Sequence, residues 1–202
     1  MIIVVDGMDG AGKTTIAQYI ASNYNFKLID KPNKYLFSNK NGSFDMNTFN
    51  KLLEKIYEMD DMLIKTWFFC LGNIIATKIS NGQDVVIDRH FASNYFWNSE
   101  KKLEKIYKVL IEYIGVPDMT FLVKASSETR KKRILKRNPN DNDLLDNDKF
   151  LYGYDKMEYF LKKFENPYLI IDTDYKNKAE VCYEVKSIMD QLIKKKVMVK
   201  KK

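Results

Sequence analysis

Eight residues near the start of the chain have types and spacing suited to gripping phosphate. Residues 7–14 read GMDGAGKT and fit the pattern G-x-x-x-x-G-K-[ST] at every position. Glycines allow the backbone to turn its N–H groups inward, and the following helix adds positive partial charge at its start. Lys13 is expected to reach the β- and γ-phosphates of ATP, and Thr14 to ligate Mg²⁺. The predicted ATP-binding residues are Gly7, Met8, Asp9, Gly10, Ala11, Gly12, Lys13, Thr14 and Thr15.

A second candidate group follows a predicted buried strand at residues 84–88. This strand ends in Asp88, and Arg89 comes directly after it. Ligands of parallel sheets bind at the carboxyl ends of the strands, so Asp88 is expected to face the phosphate loop and hold Mg²⁺, directly or through water. Arg89 offers a planar fork to a phosphate. Alone, such a pair is more typical of a surface ion pair; beside a phosphate loop, the functional interpretation is favoured.

Strand and helix patterns alternate along the whole chain, which predicts a parallel sheet covered on both faces. Short runs of branched apolar residues predict five strands, at residues 2–6, 26–29, 84–88, 118–123 and 168–172. Helical periodicity follows Asp45 as a cap and recurs at residues 13–23, 60–80, 101–114, 126–137, 149–164 and 178–195. Residues 31–43 are predicted to be a loop. We therefore expect a single α/β domain over residues 1–202, of the three-layer P-loop NTPase type with a mobile lid.

Composition indicates which kinds of binding partner and which cellular compartment to expect. The 202-residue chain carries a net charge of +7, which favours acidic partners, either nucleotide phosphates or nucleic acid. The lysine-rich tail at residues 194–202 has no stacking motif beside it, so we expect a frayed, solvated end and no nucleic-acid partner. No segment approaches about 20 apolar residues, which predicts no membrane span. Cys70 and Cys182 are expected to be buried thiols of a cytoplasmic protein.

The two phosphate-binding groups resemble those of the thymidylate kinase family. Residues 4–15, VVDGMDGAGKTT, are close to its glycine-rich signature, and residues 85–93, VVIDRHFAS, are similar to its Asp-Arg-(Tyr/His)-x-x-Ser motif. Residues 116–122 resemble its Pro-Asp strand, and residues 128–137 resemble the helix that leads into its lid. The resemblance spans nearly the whole chain.

This resemblance implies an ATP-dependent nucleoside monophosphate kinase that phosphorylates dTMP. Asp9 is then expected near the acceptor sugar and the reacting phosphates, and Arg89 at the acceptor phosphate. A homodimer is expected from the family and from the apolar helix at residues 60–80.

The resemblance also implies a role for the basic helix before the lid, which we place at residues 138–148. In family members without an arginine in the phosphate loop, lid arginines supply positive charge to the transition state. This loop has none, so Arg133, Arg137 or Arg130 must serve, and such an arginine contributes roughly 10³–10⁵ in rate. Arg133 and Arg137 are four residues apart on one helix face and are the favoured pair.

The chain departs from the family pattern on the acceptor side. Asp30-Lys31-Pro32 replaces the family's Arg-Glu-Pro, and the helix at residues 60–80 has no arginine near the base. Trp97 and Asn98 replace the tyrosine and glutamine that follow the Asp-Arg motif, and residues 143–146 lack the usual lid arginine. Five aromatic residues are open to two interpretations, base stacking or core packing. They are Phe68, Phe69, Phe91, Tyr95 and Trp97.

Two other functions stay open on the sequence alone. A deoxynucleoside kinase has related architecture but uses a strand-end carboxylate as the base on a sugar hydroxyl. A nucleotide-binding protein with little transfer activity is the other, and it predicts tight ATP binding without acceptor-dependent formation of ADP. His90 is predicted to be a packing residue, because transfer to an existing phosphate oxygen needs little help from a base.

Overall fold

The five predicted strands form one parallel sheet. In the computed structural model, which describes residues 1–139 and 152–200, the strands lie in the order β2-β3-β1-β4-β5. They are β1 (Ile2–Gly7), β2 (Lys27–Asp30), β3 (Val85–Asp88), β4 (Met119–Lys124) and β5 (Tyr168–Asp172). Helices cover both faces, so the predicted three-layer α/β/α fold is confirmed.

Eight α-helices are described within these ranges. They are α1 (Lys13–Tyr24), α2 (Met46–Glu58), α3 (Met62–Ser80), α4 (Phe91–Asn98), α5 (Glu104–Ile114), α6 (Ser127–Arg137), α7 (Gly153–Lys163) and α8 (Lys178–Lys200). Asp45 caps α2 as predicted, since its side chain accepts a hydrogen bond from Thr48 N at 3.0 Å. Asp61 caps α3 in the same way, through Leu63 N at 2.7 Å.

Successive strand residues point to opposite faces, and each face buries its own core. On one face, Val5, Phe121 and Ile171 pack with buried residues of α1 and α8. On the other, Val4 and Ile87 pack with Ala76 of α3, while Leu122 packs with α4, α5 and α7. Because both faces of the three central strands β1, β3 and β4 are covered, these strands are mostly apolar and their residues do not alternate with polar ones.

Two elements in the first half of the chain were not predicted. Pro32 begins a 3₁₀ helix, Pro32–Phe37, inside the segment predicted to be a loop, because proline fits the first turn of a helix. Helix α4 was missed because residues 91–95 and 98 are all buried, with Ser93, Asn94 and Asn98 among the aromatic residues. A short helix without a polar face has no amphipathic period to detect.

The ends of the last two helices also differ from the prediction. Helix α7 is described from Gly153 to Lys163. Residues 149–151 of the helix predicted to begin at residue 149, and residues 140–148 of the lid predicted at residues 138–148, lie outside the described residues. Helix α8 continues to Lys200, so the prediction of a frayed end from residue 194 was wrong for its first lysines. Lys196 Nζ lies 2.6 Å from Asp84 Oδ1, which ties this helix to the start of β3. Cys70 is buried as predicted, but Cys182 on α8 is partly exposed.

Helix α3 has two unlike faces. By length and composition alone it is apolar enough to cross a membrane, contrary to our expectation for the chain, but core helices of soluble proteins share this composition. Its inner face buries Thr66 and Asn73. Its outer face exposes Leu63, Ile64, Trp67 and Leu71 by between 38% and 49%. That outer face is therefore a large apolar surface on the described part of the chain.

Candidate active site

The carboxyl ends of β1 and β3 bring the two predicted phosphate-binding groups together. Val5 of β1 is paired with Asp88 of β3, and β4 lies on the other side of β1. Thr14 Oγ1 donates a hydrogen bond to Asp88 Oδ2 at 2.7 Å. A pocket of about 350 Å³ opens at this point, where parallel sheets commonly bind ligands. It is lined by Asp9, Gly10, Gly12, Lys13, Thr14, Thr15, Arg133, Ile134 and Arg137.

The phosphate loop is shaped by glycines packed tightly against neighbouring backbone. Gly7 has φ +147°, and a Cβ there would lie 2.3 Å from the carbonyl oxygen of Val123. Gly10 has φ +76°, and its Cβ would lie 2.7 Å from the carbonyl oxygen of Arg130 in α6. Helix α1 starts at Lys13, and no side-chain hydrogen bond caps it. Its first N–H groups are thus available to an anion in the pocket.

Lys13 is buried, and its side chain reaches back to the start of this loop. Its Nζ donates to Met8 O at 2.7 Å and lies 3.8 Å from Asp9 Oδ1. Burial lowers the pKa of Lys13 to about 8, and the charge of Arg89 acts in the same direction, against the opposing effect of Asp9, Asp88 and Asp6. The ammonium group is therefore charged at neutral pH but loses its proton at a much lower pH than an exposed lysine.

Asp9 and Arg89 form an ion pair beside Lys13, with Arg89 Nη2 donating to Asp9 Oδ1. Burial alone would raise the pKa of Asp9, but the charges of Arg89, Lys13 and Arg137 together lower it. Burial would lower the pKa of Arg89, but Asp9, Asp88 and Asp6 raise it. Both side chains consequently stay ionised, and Asp9 is a weak proton acceptor.

Asp6, which the sequence analysis did not single out, fixes the position of Arg89. Its Oδ1 accepts from His90 N at 2.9 Å and its Oδ2 from Ala92 N at 3.2 Å, at the start of α4. Arg89 itself has φ +73°, a conformation unusual outside glycine, and its N donates to Val5 O at 3.0 Å. In the sequence, Asp6 could have been noticed as an acidic residue at the end of an otherwise apolar predicted strand.

His90 lies directly after this turn and is buried. Burial lowers its pKa to about 3, so the imidazole is neutral near neutral pH. Its ring packs edge-on against Phe91, with the centroids 4.3 Å apart. Phe91 and Tyr95 are also fully buried in the core, which decides the interpretation of these two aromatic residues in favour of packing. Phe68 and Phe69 of α3 are half-buried and in edge-to-face contact.

Thr14 and Asp88 offer the hydroxyl and carboxylate oxygens that suit Mg²⁺ when a nucleotide supplies its other ligands. Asp88 Oδ1 is buried and has no hydrogen-bond partner among the described residues. Within residues 1–139 and 152–200, no three His, Cys, Asp or Glu side chains cluster closely enough to hold a metal unaided. Magnesium bound with phosphates and water needs only one or two protein ligands, so the residues present fit this ion.

The three arginines of α6 occupy different positions. Arg130 is buried, at 4% exposure, beneath the loop. Arg133 lines the pocket, but its guanidinium donates to backbone carbonyls, including Ala11 O at 3.2 Å and Thr173 O at 2.9 Å. Arg137, one turn further on, also lines the pocket, and its charge acts on Asp9.

Comparison with known proteins agrees with this arrangement. The sequence profile of the family described as thymidylate kinase matches residues 5–185. The chain belongs to the thymidylate kinase family. It therefore has the family's enzyme class, that of nucleoside monophosphate kinases that use ATP as the phosphate donor.

Some relatives named as thymidylate kinases match this chain over nearly their whole length. A probable thymidylate kinase of Archaeoglobus fulgidus is 28% identical over 96% of both chains. Two solved structures share the fold. Deoxyadenosine kinase from M. mycoides has a TM-score of 0.64 at 17% identity, covering 96% of this chain and 100% of that chain. Thymidylate kinase from Ehrlichia chaffeensis has a TM-score of 0.60 at 21% identity, covering 94% and 98%.

Proposed function

We propose that the protein transfers the γ-phosphate of ATP to the phosphate of dTMP, forming ADP and dTDP. ATP binds along residues 7–15, with its terminal phosphates between Lys13 and the start of α1. The acceptor monophosphate binds at Arg89, beside Asp9. The proposal extends to a cytoplasmic location and to a free nucleotide, rather than a nucleic acid, as the acceptor.

The state of the strand-end carboxylates is the observation that favours a monophosphate acceptor. A kinase that phosphorylates a sugar hydroxyl needs a carboxylate free to take its proton. Asp6 has both oxygens engaged by backbone amides, and Asp9 is paired with Arg89. Asp88 accepts from Thr14 through Oδ2, and the proposed Mg²⁺ site takes its remaining oxygen, Oδ1. A phosphate acceptor needs no such base, because its attacking oxygen is already ionised.

Charge neutralisation is the main task of the remaining site residues. Phosphoryl transfer depends on positioning and on offsetting the charge of the transferred group. Lys13 supplies one positive charge, and Arg137 supplies a second from α6. Thr14 and Asp88 would hold Mg²⁺, which would supply further positive charge to offset that of the phosphates. The predicted lid would exclude water, which limits loss of ATP by hydrolysis.

A deoxynucleoside kinase is the second candidate, favoured by the fold shared with the deoxyadenosine kinase from M. mycoides. One experiment distinguishes the nucleoside monophosphate kinase from the deoxynucleoside kinase. The purified protein is given ATP, Mg²⁺ and, one at a time, each common nucleoside monophosphate and each nucleoside, and the release of ADP is measured. We expect release with dTMP above all other acceptors. Release with nucleosides alone would replace the proposal with the second candidate, and release with none would favour a nucleotide-binding protein.

A homodimer built on the exposed face of α3 belongs to this proposal. Leu63, Ile64, Trp67 and Leu71 make that face apolar, and burying it against a second copy would remove it from water. The area of a single helix face is small for a stable dimer, so neighbouring residues of α2, such as the exposed Tyr57, are expected to contribute.

A further inference from the structure

Arg133 is bound to backbone carbonyls of the phosphate loop. Its Nη1 donates to Gly10 O at 3.3 Å, to Ala11 O at 3.2 Å and to Thr173 Oγ1 at 2.8 Å. Its Nη2 donates to Thr173 O at 2.9 Å. A single guanidinium therefore joins α6, the phosphate loop and the residue that follows β5.

Thr173 completes the same contact from the sheet. It is buried, and its Oγ1 lies within hydrogen-bond distance of Ala11 O at 3.0 Å and of Lys124 O at 3.1 Å. Its N donates to Lys124 O at 2.9 Å, at the end of β4. The carbonyl of Ala11 is thus held from two directions by groups that are themselves fixed to the central sheet.

The geometry of the peptide bond links the contact at Ala11 O to the direction of the next N–H. In a trans peptide the C=O of one residue and the N–H of the next point in opposite directions in one plane. The described residues contain no cis peptide. Holding Ala11 O toward Arg133 consequently points Gly12 N–H away from Arg133, and Gly12 itself lines the pocket. The positive charge beside that carbonyl also polarises the peptide, which strengthens its N–H as a donor to an anion.

We propose that Arg133 is a positioning residue that orients the amides of the phosphate loop for polyphosphate binding, and is not the arginine that contacts the transferred phosphate. The inference rests on the proposed ATP site and deepens it. It leaves Arg137 as the arginine of α6 that reaches the reacting group. It also predicts that Thr173, which is not among the residues lining the pocket, acts through the same carbonyl.

Binding measurements without turnover test this role. The affinities of Mg²⁺-ADP and of inorganic tripolyphosphate are measured by calorimetry for the wild type, Arg133→Met, Arg133→Lys and Arg137→Met. We expect Arg133→Met to weaken both ligands by a similar factor, about tenfold or more, because a charged hydrogen bond to the loop is lost. Arg133→Lys should stay impaired, since a single ammonium cannot replace the planar fork. Arg137→Met should bind both ligands nearly normally but lose most of its kcat.

Thr173→Val provides a second, milder variant and a test of coupling. It should weaken tripolyphosphate binding in the same direction, and combining it with Arg133→Met should add less than the sum of the two effects, because both act on Ala11 O. Hydrogen exchange of the loop amides, measured without nucleotide, should be faster in Arg133→Met than in Arg137→Met. Thermal unfolding of each variant checks that the fold is retained.

Two results would overturn the inference. Unchanged tripolyphosphate affinity in Arg133→Met with a kcat about 10³-fold lower would make Arg133 the transition-state arginine. Weaker ADP binding with unchanged tripolyphosphate binding would place it against the base instead. Failure of the wild type to bind either ligand would reject the proposed function itself, which distinguishes the two failures.

Discussion

Around Asp9, three cationic side chains surround one carboxylate. Lys13, Arg89 and Arg137 all act on its charge. Asp6 and Asp88 act on Lys13 and Arg89 as well, so the side-chain charges largely offset one another, and the N–H groups at the start of α1 add positive partial charge. A polyphosphate offers the additional negative charge that such a site stabilises, and electrostatic attraction at this position assists its entry.

The lowered pKa of Lys13 predicts a pH dependence of nucleotide affinity. Its pKa is about 8 in the protein alone, and a bound phosphate favours the charged form and raises it. Affinity for ADP should thus be constant below about pH 8 and fall by up to tenfold per pH unit above it. Calorimetry between about pH 7 and pH 9.5 measures this.

The control for that prediction is Lys13→Arg, which keeps its charge over the whole range. Any dependence that remains in this variant comes from other groups. A flat affinity profile for the wild type across pH 8 would contradict the assigned contact between Lys13 and phosphate.

Arg89 should act mainly on the acceptor. Arg89→Ala removes the guanidinium fork beside Asp9, so the KM for dTMP should rise by about tenfold or more while the KM for ATP changes less. Steady-state kinetics with each substrate varied in turn measures both constants. A larger increase in the KM for ATP would remove Arg89 from the acceptor side.

Among the elements, α3 and the 3₁₀ helix at Pro32–Phe37 are in close contact at Gly72. A Cβ at Gly72 would lie 2.6 Å from Asn33 Oδ1 and 3.2 Å from Pro32 Cγ. Asn33 cannot move away easily, because its Nδ2 donates to Phe68 O at 2.8 Å and its side chain is buried. The absence of a side chain at Gly72 therefore allows the 3₁₀ helix to pack against α3.

Gly72→Ala should consequently destabilise the fold, although alanine favours a helix more than glycine does. Overpacking of this kind costs roughly 1–3 kcal/mol, which corresponds to a fall in Tm of about 2–10 °C for a domain of this size. Thermal unfolding measures it. In a background of Asn33→Ala the same substitution should cost less, and an unchanged or raised Tm in the wild-type background would show that the contact yields freely.

At the level of the whole molecule, the outer face of α3 predicts the oligomeric state. Trp67→Glu places a charge in the centre of that face, where Trp67 is 49% exposed. We expect the wild type to be a dimer at micromolar concentration and this variant to be a monomer, as measured by light scattering. Tyr183→Glu is the control, because Tyr183 is exposed on α8, which covers the opposite face of the sheet. A monomeric wild type would refute the dimer.

The sequence by itself determined the parallel sheet, the phosphate loop and the association of Asp88 with Thr14. These follow from local patterns, since branched apolar runs form buried strands and the carboxyl ends of parallel strands share one edge. It also identified the candidate catalytic residues, but it did not distinguish Arg133 from Arg137.

Only the tertiary structure suggested a separate role for Arg133, because its partners lie far away in the chain. Arg133 meets Ala11, which lies 122 residues earlier in the chain, and Thr173, which lies 40 residues later. The same holds for Asp6, whose oxygens bind amides at the start of α4, and for α4 itself, which is buried on every side and so carries no periodic signal. Side-chain types indicate what chemistry is available, but the fold determines which partners each donor contacts.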